Sequence, residues 1–151
     1  MINVFVTVGT TEFDELIQVV DQTCGNQQGL QVVAQVSRSS IYKPVNIDYF
    51  EFSNDVASYI DKADVIITHA GAGSVYSMLE KGKKIIVVPN LSRVDSHQIE
   101  LANHVEKNNF AIFCRELNDL SRLIYLMNSR DFNPYKKEDF FGAELIRKLL
   151  R

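Results

Sequence analysis

Two short stretches carry residue types that could do chemistry. The first is His69-Ala70-Gly71-Ala72-Gly73-Ser74, which follows the apolar run Val65-Ile66-Ile67. That run has no period-2 alternation, as expected of a strand buried on both faces of a parallel sheet. After it, Val75–Lys81 reads as a short helix, with Gly82 just past its end. Strand, glycine loop and helix N-terminus together make an anion site. Glycine lets the main chain approach a ligand, and the unpaired N–H groups of the first helical turn point at it. A phosphate is the expected occupant. The second stretch, Asp95-Ser96-His97-Gln98, gathers an acceptor, a hydroxyl, an imidazole and an amide at the start of another helix. It reads either as a capped helix with Asp95 complementing the dipole, or as a hydrogen-bonding set for a polyhydroxylated ligand.

Several chemistries are excluded by spacing. No Gly-Lys-Ser/Thr follows Gly73, so the loop is not a P-loop. The third glycine of the nicotinamide fingerprint is missing, and the loop follows the fourth strand instead of the first. Ser74 lacks the Gly-x-Ser-x-Gly order of a hydrolase nucleophile. His69 is open to two readings: a general base, or, the favoured one, a ring packed under the loop and satisfied by main chain. Asp14 and Glu15 read as dipole partners in a first helical turn. No carboxylates or histidines show a ligand-like spacing, so no metal is expected.

The elements that must position these residues follow in chain order. Residues 2–8 read as a central strand, Gly9-Thr10-Thr11 as a tight turn, and Phe13–Cys24 as a helix with Phe13, Leu16, Ile17 and Val20 on one face. Leu30–Val36 is a second strand, residues 37–45 a polar loop, and Asn46–Phe52 a third strand. Ser53 or Asn54 is placed to cap a helix carrying Val56, Ala57 and Ile60. The run before His69 is the fourth strand, and Lys84–Val88 the fifth, ended by Pro89-Asn90. Leu91–Asp95 is a loop, Ser96 caps the helix His97–Lys107, Phe110–Cys114 is a sixth strand, and Leu117–Met127 a further helix. Asp131–Tyr135 is an unstructured link to a last amphipathic helix, Phe141–Leu150. Strands alternating with helices describe an α/β doubly wound parallel sheet. Ligands bind such sheets beyond the C-terminal strand ends, where loops 9–12, 52–55, 70–74 and 89–98 would gather.

Composition agrees with a globular chain. Of 151 residues, 46% are apolar and 23% charged, enough for a core that buries roughly two-thirds of the unfolded surface. The net charge of −3 and the lack of a basic, aromatic-laced stripe exclude non-specific nucleic-acid binding. The longest apolar runs, such as Ile85–Val88, fall far short of a membrane span. The first strand begins at the N-terminus and leaves no room for a signal peptide, and Cys24 and Cys114 fit buried free thiols. A cytoplasmic protein is expected.

Val4–Thr11 with Phe13-Asp14, His69–Ser74, and Pro89-Asn90 followed by Asp95-x-His97-Gln98-x-Glu100-Leu101-Ala102 resemble the C-terminal, donor-binding half of glycosyltransferase family 28. The similarity covers residues 1 to about 115 and is greatest to stand-alone members of the family. Those are the small subunits of bacterial two-part capsule and exopolysaccharide transferases, and the small catalytic subunit of the eukaryotic UDP-GlcNAc transferase of N-glycan synthesis. The resemblance implies a Rossmann-like half of a GT-B enzyme. Its donor site would comprise Gly9, Ser53, Gly71, Ala72, Gly73, Ser74, Ser77, Asp95, His97 and Gln98. The UDP diphosphate would rest on Gly71–Ser74, the uracil near Phe52–Asp55, and the sugar by Asp95, His97 and Gln98.

It further implies an inverting, metal-free transferase whose leaving UDP is stabilised by helix dipole and N–H groups. Ser77 departs from the family, which usually places Glu or Asp there for the ribose hydroxyls; a hydroxyl offers one acceptor fewer and no charge assistance. A GT-B site needs an acceptor half, and one Rossmann half is present. The resemblance therefore implies a membrane-associated acceptor-binding subunit, with the soluble chain recruited to the cytoplasmic face and a lipid-diphosphate-linked acceptor. Residues 1–130 would be the UDP-sugar domain. Residues 131–151 would either pack back on it or dock the partner through Phe140, Phe141, Leu145, Ile146, Leu149 and Leu150. Thr10, Thr11 and His69 are the local candidates for a catalytic base. A capsule or exopolysaccharide role is the reading preferred. The alternatives are a UDP-GlcNAc transferase subunit of the N-glycan type, a non-catalytic nucleotide-sugar-binding subunit, or an unrelated phosphate-binding α/β enzyme.

Overall fold

A computed structural model describes residues 1–51, 53–91 and 96–137. Phe52, Asp95, the capping hydroxyl expected of Ser96 and the helix expected over Phe141–Leu150 lie outside the described residues.

The chain forms β1 (Ile2–Thr7), α1 (Asp14–Cys24), β2 (Leu30–Gln35), β3 (Asp48–Phe50), α2 (Val56–Lys62), β4 (Val65–His69), α3 (Ala72–Glu80), β5 (Ile85–Val88), α4 (Ser96–Lys107), β6 (Ile112–Phe113) and α5 (Leu120–Ser129). The six strands make one sheet in the order β3-β2-β1-β4-β5-β6, and every pairing is parallel. The order reverses between β1 and β4, so the loops after these two strands flank the crevice in which such sheets bind ligands.

The missing alternation in the strands has its cause in two-sided burial. Val4 and Val6 of β1, Val65 and Ile67 of β4, and Ile86 and Val88 of β5 pack on one face against Leu16, Ile17 and Val20 of α1 and Leu120, Ile124 and Met127 of α5. Phe5, Ile66, Ile85 and Val87 point the other way, onto Val75, Met78 and Leu79 of α3 and Leu101, Ala102 and Val105 of α4. Cys24 and Cys114 are free and buried.

Among the boundaries that differ from the sequence reading, four are set by local structure away from the glycine loop. β3 is three residues long, not Asn46–Phe52, because the N–H groups of Val45 and Asn46 donate to the Asp21 carboxylate (3.0 and 2.7 Å) instead of joining the ladder. β6 is cut to Ile112–Phe113 because the N–H groups of Phe110 and Ala111 donate to the Val105 carbonyl at the end of α4. A single 3-10 turn, Leu117–Asp119, precedes α5. α2 begins after Asp55, and neither Ser53 nor Asn54 caps it; the Ser53 hydroxyl accepts from the Asp55 N–H at 3.0 Å.

No helix joins β2 to β3. Residues 37–47 run along α1 instead, pinned by two of its carboxylates. Asp14 accepts from the Ser40 hydroxyl and from the N–H groups of Ile41 and Tyr42. Asp14 is thus a clamp as well as a first-turn acid. Asp21, fully buried, accepts from the Tyr42 hydroxyl at 2.6 Å besides the two N–H groups above. Burial alone would raise the pKa of both carboxyls; the hydrogen bonds outweigh it and leave both below the usual range. The segment after α5 is irregular, as expected, but held. The Asn133 N–H donates to the Asn109 carbonyl (2.8 Å), and Tyr135 stacks on Tyr76 of α3 (5.2 Å between centroids) with its ring edge-on to Phe110.

Candidate donor-binding site

At the C-terminal end of the sheet lies a cleft of about 460 Å³. Its walls are Val8, Thr11 and Phe13 from the β1–α1 loop, His69 to Ala72 from the β4–α3 junction, Asn90 at the end of β5, and His97, Gln98 and Leu101 of α4. Residues 60 and more apart in sequence meet here because β1, β4 and β5 are consecutive neighbours in the sheet.

The glycine loop is shorter than its sequence suggests. Gly71 is the N-cap (φ −86°, ψ 119°) and α3 starts at Ala72, three residues earlier than the reading from Val75. Gly73 and Ser74 therefore sit in the first helical turn. The Val75 N–H closes the turn on the Gly71 carbonyl (2.9 Å), and no side chain caps the helix. The N–H groups of Ala72, Gly73 and Ser74 are left for a ligand, at the positive end of the dipole. Neither Lys nor Arg is among the described lining residues, so anion attraction here rests on main-chain groups.

The glycines divide into two kinds. A Cβ at Gly71 would lie 2.7 Å from His69 Nε2, and one at Gly9, whose φ is +68°, would lie 3.0 Å from His69 Cε1. Both are small because the imidazole is wedged between them. A Cβ at Gly73 would meet nothing within 4 Å. The absent side chain of Gly73 thus serves no packing need of the protein and leaves bare main chain at the helix end.

His69 is packed under the loop, as favoured from sequence, but it is not satisfied there. Its Nδ1 is buried without a hydrogen-bond partner. Burial pushes its pKa below the ordinary histidine value, and the nearby Thr7 main chain offsets this in part. Burial thus disfavours the charged ring. Among the other expected residues, Thr11, Gly71, Ala72, His97 and Gln98 share the cleft with His69. His97 is exposed, 3.6 Å from the Glu100 carboxylate. Thr10 turns its carbonyl to the Ser37 hydroxyl (3.1 Å) and is not among the lining residues. Ser53 lies in the loop after β3, and Ser74 and Ser77 are exposed along α3, outside the cleft walls.

Asn90, part of the Pro89-Asn90 motif that ends the fifth strand, joins three walls. Its Nδ2 donates to the Glu12 carbonyl (3.3 Å) and its N–H to Gln98 Oε1 (2.9 Å). Its signal in the sequence is the Pro89-Asn90 motif after a fully apolar strand, which shows neither hydrogen bond. Among the described residues no group of three His, Cys, Asp or Glu could hold a metal ion, and no helix is long and apolar enough to cross a membrane.

Fold and cleft together define a Rossmann-like half-domain of the GT-B type, with an uncapped helix end at its switch point. Residues 3–143 match the glycosyltransferase family 28 C-terminal domain, and the chain belongs to that family. It is 40% identical over 125 residues to the UDP-N-acetylglucosamine transferase subunit ALG13 of Debaryomyces hansenii, covering 83% of this chain and 54% of that protein. It is 36% identical over 122 residues to the human subunit of the same name, covering 74% of this chain and 11% of the human protein. The match thus spans about half of the yeast relative and about a tenth of the human one. Among solved structures, the crystal structure of Acinetobacter baumannii MurG superposes with a TM-score of 0.64 at 21% identity, over 97% of this chain and 52% of that one. A solution structure of ALG13 gives 0.64 at 21% identity, over 96% and 94%. These two likenesses show the fold.

Proposed function

We propose that the chain is the donor-binding half of an inverting, metal-free UDP-sugar transferase that acts with a separate acceptor-binding subunit. The observation that carries this is the bare first turn of α3. Three N–H groups lie at a positive helix end beside a glycine that the protein's own packing does not require. A diphosphate fits that chemistry. The uracil would lie toward Ser53–Asp55, the ribose by Ser77, and the sugar toward Asn90, His97 and Gln98. As the glycosidic bond to the diphosphate breaks, charge grows on the leaving UDP, and the same N–H groups are already oriented to stabilise it.

No carboxylate lines the described part of the cleft. The base that deprotonates the acceptor hydroxyl is assigned to the acceptor-binding half, and His69, wedged between Gly9 and Gly71, to holding the loops in place. UDP-N-acetylglucosamine is the favoured donor, since the relatives above bear that name. They shift the balance from the capsule and exopolysaccharide role expected first to the UDP-GlcNAc alternative. A lipid-diphosphate acceptor at the cytoplasmic membrane face remains part of the proposal.

The test is calorimetric titration with UDP and a panel of UDP-sugars in the absence of metal, alone and with the acceptor-binding subunit co-expressed. UDP binding that is lost in Gly73→Asp supports the donor site. Silence in both settings refutes it.

A further inference from the structure

Aliphatic side chains lie open to solvent on both sides of the cleft. Ile41 is 89% exposed, Leu91 72% and Ile99 40%. Ile41 follows β2, Leu91 follows β5 and Ile99 stands near the start of α4, so all three belong to the C-terminal edge of the sheet. Ile41 is presented by a fastened loop. Its N–H donates to Asp14 at the start of α1 (2.9 Å), and the Ser37 hydroxyl donates to the Thr10 carbonyl (3.1 Å), which ties the loop to a wall of the cleft. On the other side, Leu91 and Ile99 line a groove of about 460 Å³ with Val19, Phe113 and Leu117, and Phe13 is a wall of both groove and cleft. The groove's arginine, Arg115, is committed within the chain: it donates to the Glu106 carboxylate at 3.0 and 3.2 Å and lies over the Phe113 ring. Glu15 and Glu116 are the other charged residues of the described lining.

We propose that Ile41 on one side of the cleft and the Leu91–Ile99 groove on the other form the docking surface for the acceptor-binding subunit, which presents an apolar ridge flanked by basic side chains that meet Glu15 and Glu116. The inference rests on the donor-site reading above and adds where the partner sits and what it presents. An acceptor hydroxyl has to reach a sugar held in the cleft, so the body that carries the acceptor faces this edge. Burial of the open aliphatics holds that body in place. Contacts on both sides of the cleft also fix its tilt over the donor. The clamp on Ile41 has a use here, because a loop already ordered loses little freedom on binding. A second copy of this chain on the same surface would set two clefts mouth to mouth and shut both. An anionic bilayer would be repelled by Glu15 and Glu116.

The experiment measures the affinity of the full chain for the purified acceptor-binding subunit and, separately, for UDP. The variants are Ile41→Ser, Leu91→Ser and Ile99→Ser, with Leu126→Ser on α5, another exposed leucine, as control. Each of the first three is expected to weaken the subunit affinity about tenfold, the effect of one buried aliphatic side chain. UDP affinity should stay at the wild-type value in all four, and Leu126→Ser should change neither. In the wild-type chain with 13C-labelled methyl groups, the Ile41, Leu91 and Ile99 signals should shift or broaden when the subunit is added, while those of Leu126 stay. That readout is independent of whether any variant folds. Unmoved methyl signals, wild-type subunit affinity in folded Ile41→Ser and Leu91→Ser, or no association of the wild type with the subunit overturns the proposal. So does a dimer of the chain that Leu91→Ser dissolves, or binding to vesicles of anionic phospholipid that Ile41→Ser abolishes. UDP binding that persists through any of these results leaves the donor site standing. Conversely, a chain that binds the subunit through these residues but takes no UDP, alone or in the complex, supports the docking surface and refutes the donor site.

Discussion

Replacing Gly73 by alanine should make the protein more stable and less able to bind UDP. Gly73 is the second residue of α3, and a Cβ there meets no atom within 4 Å. No packing energy is lost, and alanine removes the conformational freedom that glycine has in the unfolded chain. The gain in a helix interior is about 0.5–1 kcal/mol; in a first turn the lower end applies, about 0.5 kcal/mol. For a chain of this size that raises the melting temperature by about 1–2 °C. The open space beside Gly73 is, on the donor-site reading, where the diphosphate lies. A methyl group there pushes the phosphates off one or two N–H donors. Each hydrogen bond to a charged group is worth about 1.5–3 kcal/mol, so UDP affinity should fall at least tenfold. Differential scanning fluorimetry and calorimetry on the same preparation read both effects. A folded Gly73→Ala that binds UDP as the wild type does would refute the reasoning, because the bare turn would then have no ligand to accommodate. A large drop in melting temperature would refute the claim that the protein leaves this space empty.

Gly71→Ala should do the opposite, since its Cβ would lie 2.7 Å from His69 Nε2; the overpacking should lower stability by about 1–3 kcal/mol, and His69→Ala in the same chain should restore part of it in a double-mutant cycle. Tyr42→Phe withdraws the hydroxyl that donates at 2.6 Å to the fully buried Asp21, which should cost about 2 kcal/mol, or ~6 °C in melting temperature; an unchanged melting curve would show that the clamp on residues 37–47 does not contribute to stability. Acid should weaken the fold in two windows. His69 has its pKa lowered from 6.5 by burial, so the unfolded chain takes up that proton first and stability falls as pH drops below about 6.5. Asp14 and Asp21 are lowered from 3.8, so their contribution is present above that pH and is lost as pH falls through their lower folded values. Urea titrations from pH 7 to 3 should show the first loss disappear in His69→Gln while the second remains.

Much of the architecture was legible in the chain because its signals are local. Val65-Ile66-Ile67 and Ile85–Val88 lack alternation, since residues on both sides of each strand are covered by helices, and that pattern is written in consecutive residues. Gly82 after α3 has φ +74°, the helix-ending conformation that its position implied. The order of strand, glycine turn and helix over residues 65–80 was legible for the same reason, though not that the helix starts as early as Ala72. The ends of β3 and β6 were not, since what shortens them is hydrogen bonding of their N–H groups to Asp21 and to the Val105 carbonyl.

Only the tertiary structure assigned the glycines their separate tasks. Gly9, Gly71 and Gly73 look alike in sequence, and it is the His69 ring, placed between two loops by the pairing of β1 with β4, that makes two of them packing residues and leaves the third bare. Asp14 reads from sequence as a first-turn dipole partner and Asp21 has no assigned role; both become clamps only when residues 40–46 are laid beside α1. Asn90 gained its role only when the sheet brought Glu12 to it from 78 residues away and α4 brought Gln98 to the same place. Periodicity and turn chemistry record what a residue's immediate neighbours require. A hydrogen bond between distant segments depends on strand order and register, and these are decided by the packing of the whole sheet.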